Sequence, residues 1–132
     1  MSSDAGSSSR GRPRVILDAE LERGFFFLVL KNIGDEPATK VVTKIGGKII
    51  GPDGKTDLNG LNVFRALEFF APGREIRILV GAAPSYFSSK QPTKFTAVIT
   101  YSDQQGEGYS ETITHDLTIY KDLPQRVVRD QD

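Results

Sequence analysis

A run of six consecutive apolar residues, from Phe25 to Leu30, constrains this chain more than any other stretch. It is rich in aromatic residues, and it is far too short to span a membrane as a helix. Such a run predicts a central β-strand that is buried on both faces. The segment from Asn32 to Pro37 follows at once, and its asparagine, glycine, aspartate and proline are residues that end a strand and reverse the chain. A second strand is therefore expected to begin at Ala38.

Alternation of apolar and polar residues indicates further strands on both sides of this run. Residues 104–108 contain two glycines and predict a hairpin turn between the last two strands. Besides the central strand, the predicted strands cover residues 15–22, 39–45, 48–50, 75–80, 95–103 and 109–120. Seven to eight short strands joined by turns predict an all-β fold, an immunoglobulin-like antiparallel β-sandwich.

The segment between residues 51 and 92 is less regular. Residues 51–60 are dense in glycine, proline and aspartate and predict an exposed loop. Leu61, Phe64 and Leu67 follow a helical spacing, which predicts one short helix near residues 60–68. An irregular strand that ends at Phe70 is the alternative. Residues 81–92 contain two prolines and predict a long connection between the sheets.

A length of 132 residues supports one domain with a hydrophobic core of its own. We predict a disordered tail of serine, glycine and arginine at residues 1–14, the β-sandwich at residues 15–121 and a polar tail at residues 122–132. The first fourteen residues lack the apolar segment of a signal peptide, and no membrane segment is predicted elsewhere. The expected location is therefore the cytoplasm, or the chain is the soluble part of a larger exported or membrane-anchored protein.

No residue pattern in the sequence indicates catalysis. His115 is the only histidine, and a lone imidazole on the apolar side of a strand is more often a packing residue than a catalyst, because catalysis and metal binding both need partners. The chain has no cysteine, so disulfides and thiolate metal sites are excluded. A weak calcium site at Asp53 and Asp57 is an alternative to a plain solvated loop, which is favoured. We predict no enzyme activity, no cofactor and no metal.

Arg10, Gly11, Arg12 and Pro13 match the core of an AT-hook, in which an extended Arg-Gly-Arg-Pro segment lies in the minor groove of DNA. Arg10, Arg12 and Arg14 are the DNA contacts that this alternative requires. Seventeen basic residues balance seventeen acidic ones, so the chain has no overall field that attracts nucleic acid. A solvated linker is therefore the favoured interpretation of these residues, and nucleic acid is not the expected partner.

Five aromatic residues fall in the irregular region between residues 61 and 87. We expect Phe64, Phe69 and Phe70 to close the core of the sandwich. Tyr86 and Phe87 lie in the predicted long connection, where they are candidates for an exposed contact with a protein partner or with a second copy of the chain.

Lys40, Lys44 and Lys48 would share one face of a regular strand and form a basic stripe. A solvated surface that resists aggregation is the favoured interpretation of this stripe, and a ligand site is the alternative.

The turn from Asn32 to Ala38 reads Asn-Ile-Gly-Asp-Glu-Pro-Ala, and a second turn, from Phe70 to Gly73, reads Phe-Ala-Pro-Gly. These turns resemble the N-x-G-x-x-P-A and apolar-Ala-Pro-Gly turns of bacterial immunoglobulin-like modules of the CARDB and NEW3 kind, over roughly residues 14–121. The resemblance implies an accessory domain of a surface or secreted protein that serves adhesion, spacing or ligand presentation rather than catalysis. We therefore predict a non-catalytic interaction or spacer module that binds protein or associates with itself. A nucleic-acid-associated protein that uses the arginine-rich tail is the alternative.

Overall fold

A computed structural model describes residues 11–122, which fold into seven β-strands and a few short helical segments. The strands are β1 (Val15–Glu22), β2 (Phe25–Asn32), β3 (Ala38–Ile45), β4 (Leu67–Phe70), β5 (Glu75–Ala82), β6 (Lys94–Ser102) and β7 (Gly108–Asp116). The helical segments are a first 3-10 turn (Leu58–Gly60), helix α1 (Asn62–Arg65), helix α2 (Ala83–Ser88) and a second 3-10 turn (Leu117–Tyr120).

The strands form two antiparallel sheets that pack face to face. One sheet has three strands in the order β1-β2-β5, and the other has four in the order β4-β3-β6-β7. In an immunoglobulin constant domain the fourth strand lies beside the fifth, whereas here it pairs with β3 in the opposite sheet. Apart from the position of this strand, the described residues confirm the predicted all-β, immunoglobulin-like sandwich, with seven strands.

The core lies between the two sheets and takes every second residue of the strands. β6 is the clearest case, because buried and exposed residues alternate along it. Ile99 is fully buried while Thr100 is exposed. β6 pairs with β7 over the full length of both strands, beginning with Lys94 opposite Asp116. The predicted hairpin between the last two strands is therefore confirmed.

β2 is the central strand of the three-stranded sheet, as its apolar run predicts. Phe26, Leu28 and Leu30 point into the core between the sheets. Val29 points to the outer face, yet it has no exposed surface either. Its cross-strand neighbours are Asp18 on β1 and Arg77 on β5. The charged side chains of these neighbours take part in ion pairs that cover the strand from outside.

Two of the predictions for the irregular region have clear outcomes. Helix α1 confirms the short helix expected near residues 60–68. The strand predicted at residues 48–50 is wrong, since Ile50 makes a single isolated bridge to Asp57. The two glycines before it end the regular pairing of β3.

Two other elements differ from the sequence-based expectation. Helix α2 lies in the predicted long connection, where Pro84 occupies the first helical turn, a position that suits proline because its missing N–H is not needed there. The last strand ends at Asp116 rather than at Tyr120. The Asp116 carboxylate accepts a 3.0 Å hydrogen bond from the N–H of Thr118 and so begins the second 3-10 turn.

The three phenylalanines that were expected in the core do not all lie there. Phe64 and Phe70 are fully buried, whereas Phe69 is 53% exposed. On β4 the two neighbours face opposite ways, with Phe70 beside buried Ala38 and Phe69 beside Thr39 on the outer face. The core prediction is therefore correct for Phe64 and Phe70 and wrong for Phe69.

Candidate functional site

Asn32, at the end of β2, joins the two turn motifs of the sequence. Its buried side-chain oxygen Oδ1 accepts hydrogen bonds from the N–H groups of Arg14 and Gly34. Its Nδ2 donates to the carbonyls of Glu36 and Phe70. Both acceptor positions and both donors of the amide are thereby used. This one side chain holds together the N-terminal segment, the turn after β2 and the end of β4.

Residues 11–14, called here the strap, pack directly on Gly34. A Cβ atom at Gly34 would lie 2.4 Å from the carbonyl oxygen of Arg12, well inside contact distance. The N–H of Ile33 donates to the carbonyl of Arg14 at 2.8 Å. Glycine at this position of the turn therefore lets the backbone of the strap lie directly against the backbone of the turn.

The folded domain begins earlier than the sequence predicts. The predicted boundary lies between residues 14 and 15, but Pro13 is buried and the N–H of Gly11 donates to the Asp35 carboxylate at 2.6 Å. Composition does not predict the strap, because a segment of serine, glycine and arginine gives no indication that its backbone pairs with a distant turn. The remainder of the two predicted tails, residues 1–10 and 123–132, lies outside the described residues.

Arg12 extends from the strap to a polar cluster on β6 and β7. Its guanidinium lies 3.3 Å from the carboxylate of Glu111 and 4.5 Å from the ring centroid of Tyr109. Glu111 also accepts a 2.8 Å hydrogen bond from the hydroxyl of Tyr101. Burial and this bond raise the pKa of Tyr101 to about 12, so the hydroxyl stays a donor. The half-buried carboxylate of Glu111 thus has a cation on one side and a neutral hydroxyl donor on the other.

The AT-hook interpretation requires Arg10, Arg12 and Arg14 to enter a DNA groove. Arg12 and Arg14 instead face the carboxylate of Glu111, at 3.3 and 3.8 Å, and Arg10 lies outside the described residues. Use of Arg12 on DNA would first break the pair with Glu111 and leave a half-buried carboxylate without its cation. The two arginines therefore have a structural role, and DNA contact stays a prediction.

Helix α2 and the second 3-10 turn close the other end of the sandwich. The ring of Tyr86 is buried edge-on against Phe26, with centroids 5.7 Å apart, and its hydroxyl donates to the carbonyl of Pro92. Burial raises the pKa of Tyr86 to about 12. Phe87 packs on Phe26 at 5.4 Å, and the ammonium of Lys121 lies 5.4 Å from the Phe87 ring centroid. Tyr86 is therefore a core residue rather than the exposed contact predicted, and Phe87 is partly covered.

An apolar groove of about 250 Å3 lies beside α2, at the end of β2 and β5. Phe25 and Leu79 give it an exposed apolar wall, at 44% and 38% exposure, and Pro52 lines it as well. The exposure of Phe25 differs from the prediction that the whole apolar run is buried. The exposure of Leu79 can be predicted from the sequence, since Leu79 lies with Arg77 on the polar face of its strand. This groove replaces the Tyr86 and Phe87 loop as the candidate surface for a protein partner.

Side chains from β7 and the turn after it close the free edge of β1. Nε2 of His115 lies 2.8 Å from the carbonyl oxygen of Leu17, and the hydroxyl of Tyr120 lies 3.3 Å from that of Ala19. The N–H of Ala19 donates to the Asp18 carboxylate at 2.9 Å. Unpaired strand edges are templates for pairing with other chains, so these bonds protect β1. His115 serves here as a structural residue.

Ion pairs cover the outer face of the three-stranded sheet. Lys31 lies 2.8 Å from Glu20 and 3.3 Å from Asp18, and Arg77 lies 2.9 Å from Glu20 and 2.5 Å from Glu22. The bond to Lys31, with that to Arg77, lowers the pKa of Glu20 to about 2. The charges on this face are therefore engaged with one another.

The loop that suggested a weak calcium site is held by its own hydrogen bonds. The Asp53 carboxylate accepts from the hydroxyl and N–H of Thr56 and from the N–H of Lys55, which lowers the pKa of Asp53 to about 2. Among residues 11–122, no group of three or more histidine, cysteine, aspartate or glutamate side chains is placed to hold a metal ion. Over the same range, no helix has the length and apolar character that a membrane crossing requires.

Neither a curated protein nor a solved structure is significantly similar to this chain. A family model described as "Domain of unknown function (DUF8453)" matches residues 3–121. The match spans the strap, both sheets and the second 3-10 turn. The chain therefore belongs to the DUF8453 family.

Proposed function

We propose that this domain is a non-catalytic immunoglobulin-like module that serves as a spacer and an interaction unit. The observation that carries the proposal is the position of the two ends of the described chain, which enters at one end of the sandwich and leaves at the other. A unit with this geometry adds length when it is placed in series, and it leaves the sides of the sandwich free for a partner.

The two ends are fixed by named contacts. At one end, the strap lies against the turn after β2, where Gly11 bonds to Asp35. At the other end, Lys121 covers Phe87 on α2. β1 and β7 span the distance between these ends, with eight and nine residues. At about 3.3 Å per residue this is roughly 26 to 30 Å.

Tension between the two ends would act along the strands. The hydrogen bonds of the β1–β2 and β6–β7 ladders lie across the strands, so such tension loads many of them together. The bonds of His115 and Tyr120 to the β1 edge add a tie between the two sheets. The turns that resemble those of CARDB and NEW3 modules support the same proposal, because the resemblance implies adhesion, spacing or ligand presentation.

Single-molecule force spectroscopy on the full chain tests the spacer proposal. Handles at the two chain ends apply tension along the strands, and we expect one cooperative unfolding event. In the control, one handle is moved to Gln105→Cys in the β6–β7 hairpin, at the same end as the strap. The chain has no other cysteine, so this attachment is specific. Tension between the N-terminal handle and residue 105 acts across the strands, so the hydrogen bonds of the β-ladders break one at a time.

The expected result is a clearly higher unfolding force for the end-to-end geometry than for the control geometry. Equal forces in the two geometries, or a lower force end to end, would contradict a role as a tension-bearing spacer. Both attachments stretch the same domain, so differences in overall stability cancel in the comparison.

A further inference from the structure

The basic stripe predicted from the sequence is present in altered form. Lys40 and Lys44 lie on β3 and are exposed, while Lys48 lies beyond the end of the strand. Arg65, at the end of α1, joins Lys44 instead, because both line one concavity. Within residues 11–122 neither Lys44 nor Arg65 has an ion-pair partner. The ion pairs of the described chain lie at the strap and on the other sheet.

The concavity has a volume of about 490 Å3 and lies at an uncovered part of the β3 edge. The pairing of β3 with β4 ends at Val41 opposite Leu67. Further along, the side-chain amide of Asn59 substitutes for a strand and bonds to the N–H and carbonyl of Ile45 at 2.8 and 2.9 Å. Thr43 lies between these two covered positions, and in the described chain no strand pairs with it on this side of β3.

Thr43 brings polar groups to this opening. Gly46 donates to a carbonyl of β6, so alternation along β3 points the N–H and carbonyl of Thr43 away from β6, to the same side as those of Ile45. Thr43 also lines the concavity. Its hydroxyl is buried on the core side of β3, together with the side chains of Val41 and Ile45, so only its backbone groups face the opening.

We infer that this concavity binds an oxyanion group, a carboxylate or a phosphate carried by a partner. Arg65 offers a planar guanidinium that matches either group, and Lys44, which lines the same concavity, offers a second cation. The N–H of Thr43 faces the same opening as a neutral donor. An oxyanion would use both unpaired cations at once, whereas a neutral ligand would leave them unused. The inference deepens the proposed function, on which its biological meaning rests, by giving the interaction unit a ligand chemistry.

Amide NMR titrations of the full chain test this site with two probes, sodium phosphate and sodium acetate, at constant ionic strength adjusted with sodium chloride. We expect saturable shifts centred on Thr43, Lys44 and Arg65, with dissociation constants of about 1 mM for such small anions. Saturation with phosphate alone points to a phosphate group on the partner. Saturation with acetate alone points to a carboxylate on the partner. Saturation with both probes means that the site accepts either group.

Matched variants decide whether the two cations form the site. Lys44→Gln and Arg65→Gln should each weaken binding at least tenfold, and Arg65→Lys should weaken it several-fold because the planar fork is lost. Lys90→Gln removes an exposed lysine near α2 and should leave binding unchanged. Thermal melts establish that each variant is folded. The inference is overturned if neither probe saturates, or if Lys44→Gln and Arg65→Gln bind as the natural chain does. Such a failure would leave the force measurement, and with it the spacer proposal, unaffected.

Discussion

Nε2 of His115 donates a hydrogen bond of 2.8 Å to the backbone carbonyl of Leu17, which joins the last strand of the domain to the first across the two sheets. The hydroxyl of Tyr120 repeats this contact on the carbonyl of Ala19. The backbone carbonyls at the free edge of β1, which a strand of another chain could otherwise pair with, are thus bonded to side chains of the same chain. Protection of the β1 edge therefore depends on residues 98 and 101 positions away in the sequence.

Loss of these two contacts should expose the edge of β1. We expect the double variant His115→Ala, Tyr120→Phe to be less stable by about 1 to 3 kcal/mol, because two carbonyls lose their donors. It should also self-associate at lower protein concentration. Urea unfolding and light scattering measure the two effects. Thr112→Ala, on the exposed face of β7, is the control and should change neither. A double variant that matches this control in both assays would contradict the assigned role.

The stability of the domain should depend on pH through Glu20. Its pKa is about 2 in the folded domain, below the ordinary value of 4.5, because Lys31 and Arg77 bond to its carboxylate. A lowered pKa contributes stability that is complete above about pH 4.5 and is lost as the pH falls toward 2. Glu20→Gln should therefore be less stable than the natural chain at pH 7, with the difference closing below pH 4. Guanidinium unfolding from pH 7 to 2.5 measures this difference, and a constant difference across that range would refute the assignment.

The register of β6 can be tested with one substitution on each face. Ile99→Asp should unfold the domain, because it places a charge without a partner in the core. Thr100→Asp lies on the exposed face and should change the free energy of unfolding by less than about 1 kcal/mol. Circular dichroism melts compare the two variants. Similar melting temperatures for both would show that the register is wrong.

Neighbouring phenylalanines on β4 should respond very differently to truncation. Phe70→Ala removes a fully buried ring and should cost about 3 to 5 kcal/mol. Phe69→Ala removes a ring that is largely in solvent and should cost less than about 1 kcal/mol. Urea unfolding gives both values. A large loss of stability in Phe69→Ala would restore the original expectation that this ring seals the core.

The strap should be sensitive to one added methyl group. Gly34→Ala places a Cβ 2.4 Å from the carbonyl oxygen of Arg12 and should cost about 1 to 3 kcal/mol. Gly60→Ala is the matched control, since a Cβ there meets no atom within 4 Å. NMR of the Arg12 and Arg14 amides should show displacement of the strap in the first variant and not in the second. Equal stability of the two variants would argue against close packing of the strap on this turn.

Local patterns in the sequence predict the strands because alternation and apolar runs depend on neighbouring residues. The β6–β7 hairpin and the central position of β2 follow from such patterns. The exposure of Phe69 does not follow from such patterns. It depends on how β4 pairs with β3, which places Phe69 opposite Thr39 on the outer face. Helix α2 also escapes prediction, because six residues that begin with Ala83 and Pro84 are too few to show a helical period.

Long-range contacts account for what the sequence analysis missed in the candidate sites. The pair between Arg12 and Glu111 joins residues 99 positions apart, and neither residue type is expected to be half-buried. The opening at Thr43 exists because β4 stops short and Asn59 resumes the pairing further along. A local sequence pattern does not predict where the pairing between two distant segments ends. Arg65 could therefore be recognised as a neighbour of Lys44 only in the folded chain.

The strap determines where the chain can safely be truncated. A deletion that starts the protein at Val15 would remove the carbonyls that accept from Ile33 and Asp35 and one donor to the buried amide of Asn32. It would also deprive Glu111 of its cations. Such a deletion would weaken folding at the same time as it removed the arginines, so a loss of DNA binding could not be credited to the arginines themselves. A chain that starts at Gly11 retains these contacts and is the appropriate shorter version for comparison.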